Sequence, residues 1–221
     1  MSAASGRRPR AHGQHYLAGF TVARRLVRDA DVSPGDLVLD LGAGTGLITG
    51  ALLRRGARVT AVEVDPKLAR GLRRRFPEAR VLERDLLTVR WPDEPFRVVA
   101  SPPFSCTSAL LRRLLDDTRT KLVRADLVLQ VGAVRARAIG PAGLCELQWA
   151  PWWTLQPGRH LPPSSFRPPP RCGAAVLTVR RRESPLLPRR AGHEWRRFLR
   201  RSFTPGRSLT EWLRIYERTV R

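Results

Sequence analysis

The sequence predicts an α/β fold: a parallel sheet with helices on both faces, followed by a small basic helical appendage. Three observations lead there. Short apolar runs alternate with segments of helical periodicity from residue 20 to about 139, the pattern of successive strand–helix units. The glycine-rich stretch DLGAGTG, residues 40–46, sits between an apolar run and a helix. Beyond about residue 139 the alternation stops, and from Glu183 onward the chain is basic and helical. A length of 221 residues holds one domain of ordinary size plus a small addition.

The elements follow in order. FTVARRLVRDADV, 20–32, places Val22, Leu26 and Val27 at helical spacing. After a PGD turn, LVLDL, 37–41, is a short apolar run with the character of a buried parallel strand. The glycine loop and a helix over about 47–55 come next. RVTAVEV, 58–64, is a second strand. DPKLARGLRRRF is a helix that starts at Pro66 with Asp65 as its N-cap. ARVLERD carries a third strand and FRVVAS a fourth. SALLRRLLDD is a helix, and ADLVLQV is a fifth strand. Then LQWAPWWTLQ reads as an aromatic-rich strand, PGRHLPPSSFRPPPR as a proline-rich loop, and AAVLTVRRR as a strand at or near an edge. Residues 183–221 are expected to form the helical appendage, broken at Pro205-Gly206. Residues 1–11 are expected to be a disordered basic arm.

Charge narrows the partners. There are 41 Lys and Arg against 19 Asp and Glu, a formal net charge of +22 at pH 7. Lys67 and Lys121 are the only lysines. A GC-rich genome accounts for arginine over lysine, but not for base over acid. Such a surface calls for a polyanion, RNA or DNA first. Residues 180–221 hold thirteen arginines against four glutamates, a density that suits phosphate contact as well as a solvated helix face. Cys106, Cys145 and Cys172 are odd in number and widely spaced. They suggest neither a disulfide framework nor a zinc site, which fits a reducing cytoplasm. No apolar run has the length of a membrane span, so no membrane and no metal are expected.

The glycine loop carries chemistry. Glycines there allow a sharp turn and close backbone approach to a ligand. Gly42, Gly44 and Gly46 make GxGxG, with Leu47 where a dinucleotide site has its third glycine. That spacing after an acidic residue is typical of S-adenosylmethionine (AdoMet) methyltransferases. Glu63 ends the second strand about 20 residues on, where a carboxylate accepts both ribose hydroxyls. Asp85 ends the third strand region and is placed to accept from the adenine amino group.

The fourth strand stops at Ser101, followed by Pro102, Pro103 and Phe104. The pattern [Asn/Asp/Ser]-Pro-Pro-[Phe/Tyr] marks methyltransferases that act on exocyclic amino groups. An adenine N6 lone pair is delocalised and poorly nucleophilic. An acceptor at 101 and the Pro102 carbonyl take the two amino hydrogens and turn the lone pair toward the sulfonium methyl. The prolines hold that carbonyl rigid, and Phe104 stacks on the extruded base. A plain strand-to-loop turn is the competing reading of the same residues. Cys106 follows Ser105 rather than a proline, so it reads as a small packed residue and not a nucleophile.

These pieces resemble the Erm ribosomal RNA adenine-N6 methyltransferases and the related small-subunit dimethyladenosine enzymes. The likeness covers residues 12–182 through GQHYL (13–17), DLGAGTG, VEVDP (62–66), RDLL (84–87), SPPF (101–104), RADLVLQ (124–130), WAPWW (149–153) and FRPPPR (166–171). The resemblance implies a Rossmann-like class I AdoMet-dependent methyltransferase domain over 12–182. It implies AdoMet as cofactor and 23S rRNA as partner, free or in an early ribosomal precursor. It implies methylation of one adenine of the peptidyl-transferase region and macrolide, lincosamide and streptogramin B resistance, by a monomer. By the same likeness Gln14, His15, Leu17, Gly42, Gly44, Gly46, Glu63, Asp85 and Ser101 contact AdoMet. Ser101, Pro102, Pro103 and Phe104 form the catalytic motif, and Phe104 and Phe166 enclose the target base. Ser101 stands where the family usually has Asn, which implies a looser acceptor and monomethyladenine as a major product; His15 also stands where Asn is usual. Small-subunit rRNA dimethylation and non-catalytic nucleic-acid binding on the same fold are the alternatives. The Trp149, Trp152 and Trp153 cluster is expected in the core.

Overall fold

The computed structural model describes residues 15–138 and 143–220. The basic arm (1–11) and Gln14 lie outside the described residues.

Strands and helices alternate as β1 (Tyr16–Leu17), α1 (Phe20–Asp29), β2 (Leu37–Leu41), α2 (Leu47–Leu53), β3 (Arg58–Glu63), α3 (Pro66–Arg75), β4 (Arg80–Glu83), β5 (Phe96–Ala100), α4 (Thr107–Leu115), β6 (Leu122–Gln130) and α5 (Val131–Ala138). Then come α6 (Leu144–Leu147), β7 (Trp153–Leu161), β8 (Phe166–Arg167), β9 (Ala174–Arg181), α7 (Gly192–Ser202) and α8 (Leu209–Val220). The main sheet has the order β4-β3-β2-β5-β6-β9-β7. The first five strands are parallel, whereas β9 runs antiparallel to both β6 and β7.

Side-chain alternation along the strands fills two layers. Val38, Val59 and Val99 face one side and pack with Ala23, Leu26, Val27, Ile48 and Leu52 of α1 and α2. Leu39, Phe96 and Val98 face the other and pack with Leu110, Leu111 and Leu114 of α4. Burial on both sides explains the near-continuous apolar runs. Asp65 caps α3, its Oδ1 accepting from the Lys67 and Leu68 amides at 2.7 and 3.3 Å, with Pro66 at the first helical position.

The last third departs from expectation in three ways. The sheet is mixed rather than wholly parallel. The chain returns from β7 to β9 without a crossover helix, and such a return pairs antiparallel. PGRHL is not loop: it lies in β7, an edge strand, the place in a sheet where proline is tolerated. The pairing shifts register between Pro157 and His160. LQWAPWWTLQ is not one strand, since α6 ends at Leu147 and only Trp153 onward is extended. Trp149, Trp152 and Trp153 are all buried.

Helices α7 and α8 pack onto this aromatic segment. The Trp195 indole donates to the Leu147 carbonyl at 2.9 Å, and Tyr216 meets Trp195 edge-on at 5.2 Å. Arg197, Arg200 and Arg201 stay exposed on α7. At the edge of α1, Arg124 and Asp126 form a buried pair at 2.6 Å. Arg124 also donates to the Asp29 carbonyl, and Asp126 accepts from Thr178.

Candidate active site

Every parallel strand ends on the same side of the sheet, and the loops after β2, β3, β4 and β5 enclose a cavity of about 360 Å³, within the size of small-ligand sites. The N-terminal segment closes it from above. Tyr16 pairs with Arg167 and Leu17 with Phe166, so β1 and β8 form a separate two-stranded strap.

The glycine loop forms the floor. Gly44 has φ of +55°, and a Cβ there would come within 2.9 Å of the Tyr16 ring, so a side chain is excluded on two grounds. Its amide donates to Glu63 Oε2 at 2.8 Å, and the Asp65 amide donates to Glu63 Oε1 at 2.9 Å. Glu63 is only 5% exposed, yet each oxygen keeps a second lone pair. Val64, exposed beside it, adds an apolar wall. Across the cavity, Asp85 accepts from the Leu87 amide at 2.8 Å, which fixes one carboxylate oxygen and leaves the other available.

Asp40 lies deepest. Its Oδ2 accepts from the Thr49 hydroxyl at 2.7 Å, while Oδ1 is buried with no partner among the described residues. Burial raises its pKa to about 7, against the lowering effect of the Thr49 hydrogen bonds and helped by the Glu63 charge. Burial, then the Glu63 and Asp65 charges, also raise the Tyr16 phenol. Asp40, Glu63 and Asp85 face the cavity against Arg84. The excess of acid suits a cationic ligand with hydroxyl and amino donors. A sulfonium nucleoside such as AdoMet has that chemistry, and the orphaned Asp40 oxygen and the open glycine floor fit it.

Ser101, Pro102, Pro103 and Phe104 line the same cavity at the end of β5. Ser101 is half-buried, and its hydroxyl has no hydrogen bond among the described residues; nor does the Pro102 carbonyl. The Pro103 carbonyl, by contrast, accepts from the Cys106 amide at 3.1 Å and its thiol at 2.9 Å. Burial pushes the Cys106 thiol up, away from the thiolate a nucleophile needs. Phe104 stands between His15, 5.8 Å away, and Phe166, which meets it edge-on at 6.3 Å.

The structure therefore brings His15, Leu17, Gly42, Glu63, Asp85 and the 101–104 motif to one cavity. Gly46 caps α2 behind the floor at φ of +81°. Phe166 is buried behind Phe104 rather than on the cavity surface. Tyr16 and Asp40 also line the cavity, although neither is among the residues expected there. Both stand inside the GQHYL and DLGAGTG motifs, and an acid at the end of a strand before a glycine loop is the signal that points to Asp40. Among the described residues no cluster of three His, Cys, Asp or Glu has metal-holding geometry, and no helix is long and apolar enough to cross a membrane.

Comparison with known proteins agrees with this geometry. The family model for ribosomal RNA adenine dimethylase matches residues 7–214. An rRNA adenine N-6-methyltransferase of Corynebacterium diphtheriae is 32% identical over 207 residues, 92% of this chain and 81% of the relative. Ribosomal RNA small subunit methyltransferase A of Prosthecochloris aestuarii is 30% identical over 203 residues, 88% of this chain and 77% of the relative. The crystal structure of the 23S rRNA methyltransferase ErmE superposes with a TM-score of 0.75 at 28% identity, covering 84% of this chain and 77% of that one. With its strand-end cavity, acidic glycine-loop floor and SPPF motif, the chain belongs to the ribosomal RNA adenine dimethylase family of AdoMet-dependent rRNA methyltransferases.

Proposed function

We propose that the chain methylates N6 of one adenine in the peptidyl-transferase region of 23S rRNA, so that macrolide, lincosamide and streptogramin B antibiotics no longer fit there. The observation that carries this reading is the pair of unengaged acceptors, Ser101 Oγ and the Pro102 carbonyl, on the wall of an acidic ligand cavity beside Phe104. Likeness to ErmE supports the large-subunit target.

When bound, AdoMet supplies an electrophilic methyl on a sulfonium sulfur. Glu63 receives the ribose hydroxyls and Asp85 the adenine amine of the cofactor. Gly42, Gly44 and Gly46 shape the floor and His15 and Leu17 the roof, and the family resemblance adds Gln14 to the residues that contact AdoMet. Phe104 stacks on the target base, with Phe166 bracing it from behind. Ser101 and Pro102 hold the amino hydrogens, which turns the N6 lone pair toward the methyl. Pro102 and Pro103 keep these acceptors in place before the reaction, so little reorganisation is needed. The shorter acceptor at Ser101 makes the second, more crowded methylation slower than the first. Residues 12–182 carry this chemistry, and the arginines of 183–221 bind phosphates.

The test is incubation of the protein and labelled AdoMet with 23S and with 16S rRNA, followed by primer extension and mass spectrometry of the digest. Label at one adenine of the 23S peptidyl-transferase region, mainly as monomethyladenine at low enzyme, is the expected result. Label in 16S rRNA, or none in either, would overturn the reading.

A further inference from the structure

Helix α3 carries more charge than its packing explains. Its sequence PKLARGLRRR holds Lys67, Arg70, Arg73, Arg74 and Arg75 and no acid. Two of these bases have partners. Arg73 pairs with Glu83 at 3.3 Å, and Arg75 donates to the Thr45 carbonyl at 3.4 Å. Lys67, Arg70 and Arg74 are exposed, and their side chains make no ion pair or hydrogen bond among the described residues.

At about 100° per residue these three fall within an arc of roughly 60°, opposite the buried Leu72. They form one stripe. Like charges at such spacings repel, and Lys67 in the first turn opposes the helix dipole. Asp65, the neighbouring acid, is turned to the amides of Lys67 and Leu68. A GC-rich genome accounts for arginine over lysine, but not for a helix without glutamate.

The stripe starts at the cavity. A Cβ at Gly46 would come within 2.6 Å of Leu72, so the turn of α3 that carries Leu72 is level with the glycine loop. Lys67 lies five residues nearer the helix start, about 7.5 Å along the axis. It closely follows Glu63 and Val64, which line the cavity. The stripe also belongs to the other face of the sheet from the α7 arginines. Leu72 packs with Ala61 of β3 and Val81 of β4, whereas Trp195 and Leu199 of α7 join the layer of α4. The strand ends, with the cavity, lie between the two basic surfaces.

We propose that Lys67, Arg70 and Arg74 form a second phosphate-binding surface, which holds the rRNA backbone beside the target adenine on the side of the cavity away from α7. RNA seated this way straddles the cavity mouth, and the extruded base enters between two basic rims. Phosphate contacts set position and register and read no sequence, so the stripe serves placement and not chemistry. The inference rests on the cavity being where the target base enters.

The test uses the full chain and whichever transcript, 23S or 16S rRNA, it binds more tightly. Lys67, Arg70 and Arg74 are changed together to Gln. The slope of log affinity against log salt is expected to fall by about 2, at roughly 0.7–0.9 per phosphate, and the KM for RNA at about 0.1 M salt to rise roughly tenfold or more. The kcat at saturating RNA and the AdoMet Kd are expected to stay within about twofold. Arg70→Lys with Arg74→Lys is expected to keep the slope, because a phosphate contact of this kind needs the charge rather than the guanidinium fork. The control changes Arg80, Arg119 and Lys121 to Gln. These exposed residues lie at the far end of the strands from the cavity, remove the same charge, and are expected to leave the slope nearly unchanged. An unchanged slope in the α3 variant would overturn the proposal. An equal loss in the control would overturn it too, by assigning the effect to the field of the whole protein. A matching loss of AdoMet affinity would overturn it by placing the damage at the glycine loop. Methyl label in 16S rRNA, with the slope lost only in the α3 variant, would overturn only the choice of target.

Discussion

Replacing Glu63 with Ala has two separable effects. In the free protein Glu63 accepts from the amides of Gly44 and Asp65, at 2.8 and 2.9 Å. A hydrogen bond to a charged group contributes about 1.5–3 kcal/mol. Water entering through the cavity mouth replaces part of both, so a loss of about 3 kcal/mol of folding stability, the lower end of two such bonds, is expected. The ligand term comes on top. Losing one charge-assisted bond to ribose, again about 1.5–3 kcal/mol, weakens AdoMet by roughly 10- to 150-fold. Urea unfolding of the free protein reads the first effect, and calorimetric titration with AdoMet reads the second. Glu63→Gln keeps one acceptor oxygen but turns an NH2 toward one of the two amides, so it should fall between Ala and wild type in both. A folded Glu63→Ala protein with unchanged AdoMet affinity would refute the ribose assignment, whatever the urea curve does.

Three further outcomes are expected. The Asp40 carboxyl, raised from 3.8 to about 7, binds its proton more tightly folded than unfolded, so stability on the order of 4 kcal/mol is lost as pH rises from about 4 through 7. Asp40→Asn should flatten that fall, and cation binding in the cavity should release a proton near pH 7, seen as a buffer-dependent binding enthalpy; a buffer-independent enthalpy would refute the coupling. Changing the exposed Arg197, Arg200 and Arg201 to Gln should lower the slope of log affinity for rRNA against log salt by about 2, at roughly 0.7–0.9 per phosphate, with unchanged urea stability; an unchanged slope would place the phosphate contacts elsewhere. Arg124→Met strands the buried Asp126 and should cost about 3–5 kcal/mol in urea unfolding, much of it recovered when Asp126→Leu is added; a loss under 1 kcal/mol would contradict the burial of this pair.

The first two thirds of the fold could be read from the chain because each element there carries its own local signal. Asp65-Pro66 announces a helix start, and LVLDL and RVTAVEV are too short and too apolar to be anything but buried strands. The last third was harder. Pro157 and Gly158 argue locally for a loop, and only a place at the edge of the sheet makes them tolerable in β7. Which strand would sit beside β6 is a tertiary choice that no local pattern encodes. The site divides the same way. Glu63, Asp85 and the SPPF residues stand at strand ends and follow from the strand reading. Asp40 was visible as an acid but not as an orphaned one, because its unpartnered oxygen depends on packing. The contact of His15 Nδ1 with the Pro168 carbonyl joins residues 153 apart in the chain, which no local pattern announces.

Strand β9 lies between β6 and β7 although it follows both in the chain. On a ribosome, residues 153–161 therefore emerge before the strand that hydrogen-bonds them on the sheet side. The nascent chain can complete β2 to β6, but β7 has no docking edge until residue 181 has cleared the exit tunnel. Translation arrested between these points leaves a segment with an open hydrogen-bonding edge, one tryptophan and one proline. An enzyme whose substrate is ribosomal RNA thus finishes its own sheet last, next to the machine it modifies.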